Sequence, residues 1–370
     1  MQEQIMRAPP RVLFAGGGTG GHLFPGIAVG RAFVDRYRDA RVVFAGTGRG
    51  VEARALARED FTFERVRSAG LVGESPAAIL RAMALAPVTL LDAARVLRRT
   101  QPDLVIGLGG YSAGPLVLLG ALSGRPTMIL EQNAVPGLTN RLLAPFVRTV
   151  AVSFGTTAAY FGPKAFVSGN PVRQGFFAAQ DTVPHRAERP HVLVVGGSQG
   201  AHSINEAMTL AAPILAAVPG GISITHQTGE SDLDAVRTAY RRAGLGARVE
   251  PFFEEMEDEM HAADVVICRA GATTLAEVAA AGRPALIVPL PYATHDHQRL
   301  NAAVVADAGA GEVIEQADID TRLTERLVAL VNDSERRRVM SEAARQLAKP
   351  GAADAVVMRA EQLIGRAAPK

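Results

Sequence analysis

Two stretches, VLFAGGGTGGH (Val12–His22) and VLVVGGSQGAH (Val192–His202), stand 180 residues apart and repeat one pattern. Each reads as a short apolar strand, a glycine-rich turn and the start of a helix. A turn of this kind lets backbone N–H groups converge at the positive end of a helix, which suits a diphosphate. Outside these stretches, short runs rich in Val, Ile and Leu alternate with Ala-, Leu- and Arg-rich segments. The runs are Val12–Ala15, Arg41–Ala45, Leu104–Gly107, Thr127–Leu130, Val192–Val195, Ser223–His226, Val265–Cys268 and Ala285–Val288. Continuous apolar runs of this length are what parallel strands buried on both faces require. The expectation is an α/β chain of two Rossmann-like, doubly wound parallel-sheet domains.

The break is expected at GNPVR (Gly169–Arg173), giving domains over 1–170 and 171–350. A last helix over about 352–366 has no partner strand and is free to pack back onto the first domain. At 370 residues, two domains is the ordinary expectation. The single cysteine, Cys268, excludes an intramolecular disulfide and fits a reducing compartment. MQEQIMRAPPR lacks the apolar centre of a signal peptide, and no apolar run is long enough to span a bilayer, so a cytoplasmic location is expected. Net charge is +2, yet residues 1–170 hold 19 Lys and Arg against 11 Asp and Glu, and residues 171–370 hold 20 against 26. Either the basic half meets an anionic surface or ligand, or surface charge simply varies along the chain.

Glycine turns alone do not choose a ligand. A dinucleotide site calls for an acidic residue closing the second strand, but RVVFAGTG ends in Ala45-Gly46-Thr47. A P-loop calls for Lys-Ser/Thr, and neither turn has it. CRAGATTLAE offers Glu277 at a strand's carboxyl edge, where a nucleotide ribose lies. The same Glu277 stands in capping-box spacing with Thr274, in the first turn of a helix starting near Thr273 or Thr274. Arg269 beside it either meets phosphate or is solvated. Two further stretches are polar for their surroundings: Glu131-Gln132-Asn133 after a buried strand, and THDHQRLNA with His295, Asp296, His297, Gln298 and Asn301. The HDH run has no third ligand at a metal spacing, so no metal is expected. Cys268 reads as a buried strand residue.

GGGTGGHLFPG, GGYSAGP (Gly109–Pro115), EQNAVPGLTN, GNPVR, VVGGSQGA, CRAGATTLAE and DHQRLNA occur in one order. Together they resemble the UDP-N-acetylglucosamine transferases that convert lipid I to lipid II in peptidoglycan synthesis. The resemblance runs over nearly the whole chain. It implies the GT-B fold, two domains facing across a cleft, with UDP-GlcNAc held mainly by the second. It implies donor contacts from Thr19, Gly20, Gly21, Asn133, Arg173, Ser198, Ala272, Thr273, Thr274, Leu275, Ala276, Glu277 and Gln298. Glu277 would take the ribose hydroxyls, Ser198 and its turn the diphosphate. Phe253 falls where the family makes a main-chain contact to uracil, although relatives often carry an aliphatic residue there.

An α-linked donor and a β1,4 product mean inversion. His22 is then the candidate general base for the acceptor hydroxyl, with Glu131 in reserve and substrate positioning as the rival role for His22. Arg173 and a helix N-terminus would stabilise the leaving diphosphate, so the chemistry calls for no cofactor. The first glycine turn is left to face the acceptor's own diphosphate. The lipid-linked acceptor places the enzyme at the cytoplasmic face of the membrane, and nucleic acid is not an expected partner. PAAILRAMALAPVTLLDAARVLRR (Pro76–Arg99) is partly core helix. Exposed Ile79, Leu80, Met83 or Leu85 among Arg81, Arg95, Arg98 and Arg99 would make a patch for an anionic leaflet. The rivals are a related sugar transferase with another lipid acceptor, a non-catalytic sugar-nucleotide binder, and an NAD enzyme.

Overall fold

The computed structural model describes residues 8–48, 51–68, 76–177, 189–197, 199–291 and 296–365, without the side chains of 51 and 76–83. The chain forms two compact units. One comprises Met1–Gln132, Pro136–Pro171 and Gly351–Lys370, the other Asn133–Val135 and Val172–Pro350.

The first unit is built on seven parallel strands: β1 (Arg11–Gly16), β2 (Arg41–Gly46), β3 (Thr62–Arg65), β4 (Leu104–Gly109), β5 (Thr127–Glu131), β6 (Thr149–Val152) and β7 (Ala165–Val167). They lie in the order β3-β2-β1-β4-β5-β6-β7. The second unit has six: β8 (His191–Val195), β9 (Ser223–Gln227), β10 (Ala247–Glu250), β11 (Val265–Cys268), β12 (Ala285–Ile287) and β13 (Gly311–Val313). Their order is β10-β9-β8-β11-β12-β13. Every strand pair is parallel. In both sheets the strand order reverses beside the strand that feeds a glycine turn, at β1/β4 and β8/β11. Ligands of doubly wound sheets collect at such switch points.

Strand periodicity divides each core into two faces. Val12 and Phe14 point into one cluster with Phe33, Phe44 and Ile106, while Leu13 and Ala15 meet Val105, Leu116 and Ile129 on the other. In the second unit, Val192 and Val194 join Ile204, Met208 and Leu323, and Leu193 and Val195 join Val266, Cys268 and Val278. The eight strands expected from apolar runs all form. Five more form toward the sheet edges: β3, β7, β10 and β13 are only partly buried, whereas β6, one strand in from the edge, is buried throughout but too short to stand out.

The helix Ala352–Leu363 belongs to the first unit. Val356, Val357 and Ala360 complete the Phe14 cluster. Glu361, 1% exposed, accepts from the Arg36 guanidinium through both oxygens and from the Tyr37 hydroxyl at 2.7 Å. A buried carboxylate with three donors is a satisfied anchor rather than a stranded charge.

The second glycine turn is clamped by its neighbour. Gly200 has φ +78°, and a Cβ there would lie 1.8 Å from the Thr228 carbonyl oxygen. Only glycine permits both the left-handed backbone and this approach of two chain segments.

Candidate active site

In the first unit the turn after β1 feeds the helix Gly20–Arg36, whose N-cap is Thr19 and whose first turn holds no acidic residue. No side chain of the helix's own first turn therefore offsets the positive end of its dipole. The Thr19 carbonyl accepts from the N–H groups of His22 at 3.1 Å and Leu23 at 3.0 Å. Thr19 Oγ1 lies 3.0 Å from His22 Nδ1. The imidazole is pressed against β4's end: a Cβ on Gly109 (φ +101°) would sit 2.8 Å from His22 Cδ2 and 3.1 Å from Nε2. Thr19, Gly20, Gly21 and His22 thus form one cluster, with the ring held on two sides.

Glu131 closes β5 and is buried. Its Oε2 accepts from the Gly137 N–H at 3.0 Å and from Asn140 Nδ2 at 2.8 Å. Those bonds fix the turn into the helix Leu138–Leu143, giving the reserve base an anchoring role in this geometry. Residues 133–135 group with the second unit. There Asn301, fully buried, donates to Asn133 Oδ1 at 3.2 Å and the Ala270 carbonyl at 3.1 Å, and accepts from the Ala134 N–H at 2.9 Å.

In the second unit the turn after β8 feeds the helix His202–Ala216. Ser198, expected to hold diphosphate, lies outside the described residues. Arg269 is half-buried and held in place. Its Nη1 donates to the carbonyls of Val288 (3.2 Å) and Pro289 (3.4 Å), and its Nη2 to Ser203 Oγ (2.7 Å). It ties the loop after β12 to the start of the helix His202–Ala216.

The helix carrying Glu277 begins earlier than its threonines suggest. It spans Ala272–Ala280 with Gly271 as N-cap and no side-chain cap. Glu277 consequently sits in the second turn, which rules out the capping-box reading. Gly271 suffices because a cap needs only extended backbone, and glycine is tolerated there nearly as well as Ser or Thr. Ala272, Thr273 and Leu275 are buried, Thr274 and Ala276 half-buried.

Glu277 is 8% exposed, and among the described residues no donor reaches its carboxylate. Burial pushes it up to about 7; Arg173 opposes the shift and Glu257 adds to it. Arg173 Nη1 pairs with Glu257 Oε1 at 2.9 Å, both side chains largely buried, and the guanidinium stacks 5.2 Å above the Phe176 ring. Two carboxylates thus flank one pinned cation. Gln298, in the first turn of the helix His297–Asp307, accepts from the Leu290 N–H at 3.0 Å through Oε1. Phe253 is buried, and its N–H donates to Gln227 Oε1 at 2.9 Å.

Glu257 escaped the sequence reading because it lies in the acidic run EEMEDE (254–259). Its helix, Met256–Ala262, turns Glu257, Met260 and His261 to one side. The buried Met260 at i+3 was the available signal. His261 Nε2 contacts the Gly175 carbonyl at 2.8 Å, so this face also holds the segment bearing Arg173. Among the described residues no cluster of three or more His, Cys, Asp or Glu could hold a metal, and His295 lies outside them. Burial pushes the Cys268 thiol up to about 12, which leaves it inert as a nucleophile.

Two switch-point glycine turns and a buried carboxylate on the helix that follows β11 mark a pair of nucleotide-binding folds, and the family models make the chain a glycosyltransferase. Residues 12–152 match the glycosyltransferase family 28 N-terminal domain, and residues 191–356 its C-terminal domain. A UDP-N-acetylglucosamine--N-acetylmuramyl-(pentapeptide) pyrophosphoryl-undecaprenol N-acetylglucosamine transferase from Syntrophus aciditrophicus is 44% identical over 310 residues, covering 84% of this chain and 86% of that one. The protein of that name from Myxococcus xanthus is 41% identical over 347 residues, covering 93% and 90%. The crystal structure of Acinetobacter baumannii MurG is 32% identical with a TM-score of 0.74, covering 96% of this chain and all of that one. The chain belongs to this family of pyrophosphoryl-undecaprenol N-acetylglucosamine transferases.

Proposed function

We infer that the protein transfers N-acetylglucosamine from UDP-N-acetylglucosamine to the C4 hydroxyl of the muramoyl sugar of lipid I, with inversion, forming lipid II. The observation that carries this is the agreement of sequence over both units with transferases of that name. The buried carboxylate on the second unit supports the donor side. Glu277, ionised, accepts both ribose hydroxyls of UDP. The N-terminus of the helix His202–Ala216, with Ser198 and Arg173, stabilises the diphosphate as charge develops on it. The N–H groups opening the helix Ala272–Ala280, with Asn133 and Gln298, orient the sugar.

On the acceptor side, the first glycine turn takes the lipid diphosphate. For His22 to act as base, Nδ1–H donates to Thr19 Oγ1, leaving the Nε2 lone pair for the C4 hydroxyl proton. Incubation with labelled UDP-N-acetylglucosamine and a short-chain lipid I analogue should yield a labelled disaccharide lipid and stoichiometric UDP. UDP release without label on that lipid, or transfer to another lipid only, overturns the reading.

The acceptor also calls for contact with the cytoplasmic face of an anionic membrane. Among the described residues no helix is long and apolar enough to cross a bilayer. The side chains of Ile79, Leu80, Arg81 and Met83 lie outside the described residues, and Leu85 is half-buried. Farther along the helix Pro76–Thr100, Leu90 and Leu91 are exposed. Two of the arginines are partly spoken for, Arg95 by Asp92 and Arg99 by Glu64. The shorter helix Leu138–Leu143 adds exposed Leu138 and Leu142, with Phe146 just beyond it. Apolar side chains with arginines among them support peripheral binding. Co-sedimentation with phosphatidylglycerol vesicles should fall as salt rises; binding indifferent to both lipid charge and salt counts against it.

A further inference from the structure

The helix Met256–Ala262 grips the segment that opens the second unit. It presents Glu257 and His261 one turn apart, on one side. Glu257 Oε1 meets Arg173 Nη1 at 2.9 Å, and a Cβ on Gly175 would lie only 3.1 Å from Glu257 Cγ. His261 Nε2–H donates to the Gly175 carbonyl at 2.8 Å. The helix end is fixed in turn by Arg283, itself buried, whose Nη2 donates to the His261 carbonyl at 2.7 Å. On the other partner, the guanidinium lies 5.2 Å from the ring centre of the buried Phe176, which limits its swing. Neither charge can withdraw without moving backbone.

Stability is a poor explanation for this pair. The side chains of Arg173 and Glu257 keep 14% and 18% exposure, and Glu257 Oε2 is buried with no partner among the described residues. Burying two charges is repaid only when the remaining lone pairs and protons are also satisfied. The electrostatic consequence is more definite: the Arg173 charge is matched by a carboxylate before any ligand arrives.

We propose that Glu257 is a positioning residue that holds Arg173 charge-matched, so that the site binds the sugar nucleotide without over-binding the nucleoside diphosphate left after transfer. This rests on the donor reading above, in which Arg173 faces the diphosphate. Transfer breaks the bond between sugar C1 and the β-phosphate oxygen, and the electron pair stays on that oxygen. A terminal phosphate of this kind ionises near pH 6, so a donor with about two negative charges becomes a product with about three. An unmatched arginine in a largely buried site would hold the product more tightly than the donor. Arg173 and Glu257 together carry no net charge, so the added charge on the product gains little from them and UDP is free to leave.

The test measures binding of UDP, UDP-N-acetylglucosamine and uridine to the wild type and to Glu257→Gln at about pH 8.5, with thermal unfolding alongside. That pH lies above the Glu277 carboxyl at about 7, so the ribose meets the same ionised acceptor in both proteins. Removing the matching charge should tighten UDP about tenfold and the donor about fivefold, with uridine within about twofold. A residue that only supported the fold would weaken all three together. UDP bound no more tightly by a folded Glu257→Gln, or uridine tightened as much as UDP, overturns the proposal. If the variant does not fold, the wild type decides. Its ratio of UDP to donor affinity should change less than about threefold between about pH 5.5 and 8.5, as the terminal phosphate ionises, and a rise of about tenfold overturns the proposal. Failure of the wild type to bind UDP at all instead removes the donor reading beneath it.

Discussion

Replacing Glu277 with glutamine is expected to raise the donor KM about 100-fold while making the protein more stable above neutral pH. The loss follows from exchanging a charged acceptor for an amide that keeps one oxygen and turns an NH2 toward a ribose hydroxyl. A hydrogen bond to a charged group is worth about 1.5–3 kcal/mol, and about 2.7 kcal/mol corresponds to 100-fold. The gain follows from burial. The Glu277 carboxyl sits at about 7 in the fold against an ordinary 4.5. Between those values the unfolded chain has released the proton and the folded chain still holds it. Stability therefore falls as pH rises through that window, by an amount on the order of 3 kcal/mol, and stays reduced above it. Glutamine has no proton to lose, so its advantage in melting temperature appears at pH 8 and shrinks by pH 4.5.

Donor binding carries the opposite sign, because it needs the ionised carboxylate: wild-type donor KM should improve as pH rises through about 7. Glu257→Gln removes the like charge and leaves Arg173 in place, moving that inflection to lower pH. A donor KM within threefold of wild type in Glu277→Gln, or an inflection indifferent to Glu257, would falsify the ribose assignment. Activity and stability are opposed at this carboxylate because an acceptor poised for a ligand is unsatisfied without it.

The sequence showed the architecture best where burial is most complete. β1, β4, β8 and β11 sit centrally, so both faces are apolar and the residues at the two switch points stand out. The edge strands hide because partial burial lets in residues such as those of Thr62–Arg65. Within the site, residue type was visible and partnership was not. Glu277 could be read as ligand or cap, and only the position of Gly271 decides against the cap. Arg269 could be phosphate-binding or solvated, and its carbonyl partners come from a loop 19 and 20 residues away. Glu257 acts through a partner, Arg173, that the tertiary fold brings to it, and its one local hint is Met260 three residues on in the same helix.

Replacing His22 with alanine is expected to lower kcat by 10²- to 10⁴-fold, the usual range for a positioned general base, with donor KM within about threefold. The asymmetry arises because most of the groups proposed to hold the donor stand on the second unit and His22 on the first. Two neighbouring substitutions test whether the placement of the ring matters as well as its presence. Thr19→Val removes the partner 3.0 Å from Nδ1 and with it the bond that selects the tautomer with a free Nε2, so a loss of about tenfold in kcat is expected. Gly109→Ala puts a methyl 2.8 Å from Cδ2 on a backbone at φ +101°. The ring must move, and the loss should approach that of His22→Ala even though the imidazole remains. The rival role is separable in the same experiment. A histidine that only positions substrate raises the KM for the lipid I analogue and recovers turnover at saturating acceptor, whereas loss of the base persists at saturation. Turnover of His22→Ala within tenfold of wild type at saturating lipid I analogue would reassign the proton to another acceptor and leave His22 as a binding residue.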